Sequence, residues 1–208
     1  MRNKPFASNF TATLLMNFFF VLKSSTAQQN EPDLNDSNAQ VTMSVNIHDI
    51  SYQIATMYGA DVGTVESYVQ AAVTYEDQIG IPASVVIGIA VYESSFKSYL
   101  FQNTGNPFGI KAGRDWTGPT FSKHDDGTDT PFRVYGNAEE ALLDFGAFVR
   151  ARGWYADALA CPTDDYVCVV DGLKKTDTEP GYSTNPEWDE KVVEMIEKLG
   201  LQTLSTRW

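Results

Sequence analysis

The chain has 208 residues, 43% of them apolar, which suffices for one domain with a real core and leaves little room for a second. Its formal net charge of −12, from 27 acidic against 15 basic residues, excludes a nucleic-acid or anionic-surface binder that works through basic clusters. Two cysteines and two histidines, His48 and His124, without ligand-like spacing do not supply a metal site, and no cofactor motif is present.

Residues 1–27 read as an export signal: Arg2 and Lys4, the apolar segment Thr11 to Leu22, then small residues at Ser25 and Ala27 before Gln28. The apolar segment is too short for a comfortable transmembrane span, although Lys23 directly after it keeps an uncleaved anchor as the alternative. Cleavage removes three basic residues and takes the net charge to −15. The expected product is an exported monomer, periplasmic or secreted, with no stable membrane insertion. Residues 28–45, QQNEPDLNDSNAQVTMSV, hold hardly any large apolar side chains and are expected to form a flexible linker to a domain over 46–208.

From Asn46 onward helical periodicity dominates. Ile47, Ile50, Ile54 and Met57 share one face, and a second helix is expected from Thr64 to Gln78 with Val65, Tyr68, Val69, Ala72 and Val73 inward, ended by Gly80. Pro82 suits the first turn of a third helix carrying Val85, Val86, Ile89, Ala90 and Glu93. Residues 98–120 are rich in Gly, Asn and Pro and read as loop, and GPTFSKHDDGTDTPFRVYG reads as a hairpin turning at Asp126-Gly127. Asn137 with Glu140 resembles a capping box for a helix carrying Ala141, Leu142, Phe145 and Phe148. Helices are expected at about 153–160 and 164–173, and a last one capped by Asn185 with Pro186 first and Gly200 as terminator. Charge runs such as EWDEKVVEMIEK read as solvated helix faces. In an exported chain Cys161 and Cys168 are expected to form a disulfide closing a small loop.

One residue is out of place in this pattern. Ile89 and Val86 lie four and seven positions before Glu93, so helical spacing puts the carboxylate on the apolar face, near the negative end of its helix. Desolvation and the dipole both raise its pKa, as a general acid requires. The competing reading is a Glu turned outward or paired with Lys97.

YESSF, NPFGIKA, WTG, PFRVY and GYSTNP follow one another in an order that resembles the peptidoglycan-cleaving N-acetylglucosaminidases of glycoside hydrolase family 73, over about residues 62–201. The resemblance implies a mostly helical α+β, lysozyme-like domain with a small β-hairpin lobe flanking a substrate groove. It also implies hydrolysis of the β-1,4 bond after N-acetylglucosamine in peptidoglycan glycan strands. Glu93 takes the general-acid position. The second acidic position falls in the hairpin, where KHDDG offers Asp125 and Asp126 in place of the Glu of many members; Asp125 is favoured, and Asp126 suits turn chemistry. Tyr182 matches the tyrosine near the groove. Asn106 is expected to contact sugar, Phe108 to support the groove floor, Trp116 to stack on a sugar ring or anchor the loop, and Arg133 and Tyr135 to support the groove from behind. Two alternatives stand beside this: a lytic transglycosylase, whose catalytic motif ESSF also resembles, and a catalytically silent wall-binding or assembly protein.

Overall fold

The protein is described by a computed structural model covering residues 34–205 apart from 126 and 175, with the backbone alone for 34–45 and 125. The expected export signal, the start of the linker and the last three residues lie outside the described residues.

The first helix, α1 (Leu34–Tyr58), begins twelve residues earlier than expected, inside the stretch that reads as a linker. Once the apolar turns from Ile47 to Ile54 are nucleated, adding a polar residue at the helix start costs little. Ile47, Ile50 and Ile54 are buried, whereas Met57 is exposed. The expected second helix is broken at Tyr75 into α2 (Val62–Thr74) and α3 (Glu76–Ile79), and Gly80 closes it in the left-handed conformation at φ 75°. Asp61 caps α2 by accepting from the Thr64 N–H at 2.8 Å.

The centre of the fold is α4 (Ala83–Ser94), which starts after Pro82 and is buried on every side from Ala83 to Val91. An amphipathic face therefore does not explain Glu93. The helix is apolar all round because α2, α8 (Tyr166–Leu173), α9 (Trp188–Lys198) and the closing turn Leu201–Leu204 surround it. Glu93 stands where it emerges from that wrapping.

Residues expected as loop contain a short helix, α5 (Tyr99–Thr104), capped by Ser98 and closed by Gly105 at φ 62°. Six residues are too few to display a helical period. The hairpin forms as expected: β1 (Thr120–Asp125) pairs antiparallel with β2 (Thr128–Arg133), Asp125 opposite Thr128. Its base is bound to the preceding loop by Ala112 N–H to Pro131 O and Arg133 N–H to Ile110 O.

Asn137 caps α6 (Ala138–Arg150) by accepting from the Glu140 N–H, while the Glu140 carboxylate accepts from the Gly136 N–H. A single 3-10 turn (Gly153–Tyr155) leads into α7 (Ala156–Ala160). The Cys161–Cys168 disulfide links the end of α7 to α8, as expected. α9 begins after Glu187, not at Pro186; Asn185 instead accepts from the Glu187 N–H at 3.1 Å in the turn before it. Among the described residues the architecture is a helical body around α4 with a two-stranded hairpin, the expected α+β class. No helix among them is long and apolar enough to cross a membrane.

Candidate active site

Glu93 lines a groove of about 670 Å³ together with Phe108, Lys123, Phe132, Trp154 and Tyr182. The groove thus lies between the end of α4, the loop after α5, one face of the hairpin and the segment before α9. A larger hollow of about 850 Å³, lined by Tyr68, Lys97, Phe101 and Tyr135, holds no such acid and does not reach Glu93. Chemistry decides between them: only the smaller groove contains a carboxyl with a raised pKa.

The Glu93 carboxylate is open to the groove, yet protein fills most of the volume around it, and this desolvation raises its pKa. Accessibility and dense surroundings coexist because the surface is concave. One interaction opposes the shift: the Trp188 indole N–H donates to Glu93 Oε1 at 3.0 Å. Lys97, the sequence-adjacent cation, lies on the other hollow and forms no ion pair with Glu93. The carboxyl is therefore poised to hold a proton to higher pH than an ordinary Glu.

Tyr182 sits beside it. Its hydroxyl donates to the Phe108 carbonyl at 2.9 Å, and its ring stacks on Trp188 at 5.3 Å between centroids. Burial and the neighbouring Glu93 charge push its pKa far above that of a free phenol, so it stays protonated. Phe108 is buried, stacks on Phe145 at 4.3 Å and lines the groove.

Asn106, Trp116 and Tyr135 direct their polar groups to protein partners. Asn106 is 1% exposed; its amide donates to Ile110 O and Arg133 O and accepts from the Ile110 N–H, so it ties the groove loop to the hairpin. Trp116 donates its N–H to Pro119 O, and Arg133 covers its ring at 4.9 Å, making it a packing anchor outside the groove. Tyr135 is buried, donates to Asp144 at 2.6 Å, and borders the larger hollow. Arg133 gathers this support: it donates to Asp144 at 2.9 Å and Asp115 at 2.8 Å from a nearly inaccessible position. His124 is exposed and paired with Asp129. Asp125 ends β1, two residues after groove-lining Lys123; its side chain and Asp126 lie outside the described residues.

Two kinds of residue escape the sequence reading. Trp188 is hidden in a run that reads as a solvated face, although Trp188, Val192 and Ile196 recur every four residues as its buried stripe. Tyr99 and Trp154 present exposed rings along the groove, which no local pattern distinguishes from surface aromatics.

A family model described as mannosyl-glycoprotein endo-beta-N-acetylglucosaminidase matches residues 69–201. The chain belongs to this glucosaminidase family, glycoside hydrolase family 73. The chain resembles the crystal structure of a peptidoglycan hydrolase from Sphingomonas sp. A1, with 25% identity and a TM-score of 0.56 over 70% of this chain and 96% of that one. It shares its fold with the glycoside hydrolase domain of Salmonella typhimurium FlgJ (23% identity, TM-score 0.54, 74% and 90% covered). The catalytic domain of the autolysin Auto from Listeria monocytogenes has the same fold (18% identity, TM-score 0.53, 84% and 100% covered). No curated protein matches the chain by sequence. Family membership makes the chain a glycoside hydrolase.

Proposed function

We propose that this glycoside hydrolase cleaves peptidoglycan glycan strands at the β-1,4 bond between N-acetylglucosamine and N-acetylmuramic acid, with Glu93 as general acid. The observation that carries the reading is the Glu93 carboxyl in the groove, its pKa raised by desolvation and tempered by one indole donor. A glycosidic oxygen is a poor leaving group until protonated, and a carboxylic acid that keeps its proton near neutral pH supplies that proton as the bond breaks. The similarity to a peptidoglycan hydrolase supports the polymer, and the Cys161–Cys168 disulfide supports action outside the cytoplasm.

Tyr182 spends its hydrogen on Phe108, so toward substrate its oxygen is an acceptor, suited to the N–H of an acetamido group or to a water. Tyr99 and Trp154 offer faces for sugar rings on the groove walls. Asp125 is the second acid of the proposal, carried by the hairpin that borders the groove. End-group analysis tests the bond. Digestion of purified peptidoglycan is expected to release fragments with reducing N-acetylglucosamine ends. Reducing N-acetylmuramic acid would refute the bond, and 1,6-anhydro-N-acetylmuramic acid would refute hydrolysis in favour of a lytic transglycosylase. Asp125→Asn and Asp126→Asn, compared in the same digest, assign the second acid.

A further inference from the structure

We propose that Trp188 is a positioning residue that holds Oε1 of Glu93 and thereby assigns the transferred proton to Oε2. The inference rests on Glu93 acting as the general acid. The indole N–H is a donor only, and it reaches Oε1 at 3.0 Å. In a protonated carboxyl the carbonyl oxygen is the better acceptor, so Oε1 takes the indole bond as carbonyl and Oε2 carries the hydrogen. Among the described residues Oε1 is the carboxyl oxygen with a hydrogen-bond donor, which leaves Oε2 to the groove.

The indole is well placed to enforce this. It is 1% exposed and packed against the Tyr182 ring, which is itself fixed through its hydroxyl on the Phe108 carbonyl and edge-on against Phe145. The ring therefore cannot turn without disturbing the groove floor. As the glycosidic bond breaks, its electron pair passes to the leaving oxygen, which takes the Oε2 proton. Glu93 becomes a carboxylate whose charge the indole N–H stabilises, and the water that adds to the anomeric carbon returns a proton to Glu93 or to solvent. Losing the N–H should both loosen the carboxyl and make its proton harder to release.

Trp188→Phe keeps an aromatic ring and removes the donor, and Trp188→3-benzothienylalanine keeps the full indole shape with sulfur in place of N–H. Both are expected to lower kcat roughly ten- to hundred-fold, the range for a misplaced catalytic group. KM should hold within about twofold, because Trp188 does not line the groove. The basic limb of the kcat–pH profile should move to higher pH. Tyr182 is the titratable neighbour coupled to Glu93, and Tyr99, Lys111, Lys123, Arg152 and Tyr155 line the same groove, so the shift is read against wild type and not as an absolute value. Wild-type kcat and pH profile in the benzothienyl variant would overturn the proposal, even if Trp188→Phe fails to fold. Glu93→Gln, assayed alongside, separates the two claims. Activity in that variant overturns both, whereas an inactive Glu93→Gln beside unchanged Trp188 variants overturns the positioning role alone.

Discussion

Asp144→Ala is expected to destabilise the protein by about 3–4 kcal/mol, because it strips a buried guanidinium of its principal partner. The Arg133 side chain is 4% exposed and Asp144 19%, and both carboxylate oxygens of Asp144 accept from Arg133 Nη1 at 2.9 Å. Burial alone would pull the guanidinium pKa down; Asp144 foremost, together with Tyr135 and Asp115, more than offsets it. Removing one member of such a pair costs about 3–5 kcal/mol, and Asp115, 60% exposed but still bonded to Nη2, repays part of this. Tyr135 also loses its acceptor, which adds roughly 1 kcal/mol. At about 2–4 °C per kcal/mol for a domain of this size, the melting temperature should fall by roughly 10 °C. Urea denaturation of wild type, Asp144→Ala, Arg133→Met and the double variant measures the cost and the coupling. A coupling of about 2 kcal/mol or more is expected for residues in one network. A loss below about 1 kcal/mol for Asp144→Ala, or additive single losses, would refute this account of what holds the hairpin base against the body.

Two further predictions concern stability. The Glu93 pKa is raised on folding, so its favourable contribution is complete below the ordinary Glu pKa and is lost as pH rises through the folded value. Glu93→Gln should therefore melt above wild type at neutral pH and lose that advantage as pH falls toward about 4, a crossover read by thermal melts over a pH series; a pH-independent difference would speak against a raised pKa. Gly146→Ala would place a Cβ 2.4 Å from Ile79 O and 2.8 Å from its Cα, against backbone of α3 that cannot rotate aside. A cost of about 2–3 kcal/mol in urea denaturation is expected, against a near-neutral Gly153→Ala control with open space around its Cβ; equal effects would contradict the packing argument.

Glu93 is legible in the sequence because a lone carboxylate ends an apolar run, but the reason it is special is not. α4 has no single apolar face; Gly88 lets α9 come close, since a Cβ at that position would lie 2.7 Å from the Ile196 side chain. The hairpin is legible because Asp-Gly chemistry and alternation are local, and Gly127 indeed takes a positive φ of 80°. Asn106 is the opposite case, because its amide is engaged within the protein. Whether an amide faces sugar or is consumed internally depends on partners such as Arg133 O, 27 residues away, which no local pattern displays. Trp188 reaches Glu93 across 95 residues, so its periodic stripe can mark it as buried but not as the carboxyl's partner. The short α5 escapes a sequence reading because Ser98 and Gly105, its cap and stop, look alike in loops and at helix ends.

The most direct measurement is turnover of purified peptidoglycan by wild type and by Glu93→Gln, with released muropeptides identified by mass spectrometry. Wild type should release fragments ending in reducing N-acetylglucosamine, and Glu93→Gln, folded by its melting curve, should release roughly 10²- to 10⁴-fold less, the contribution expected of a general acid. Digestion by the folded Gln variant at the wild-type rate would contradict the assignment of Glu93.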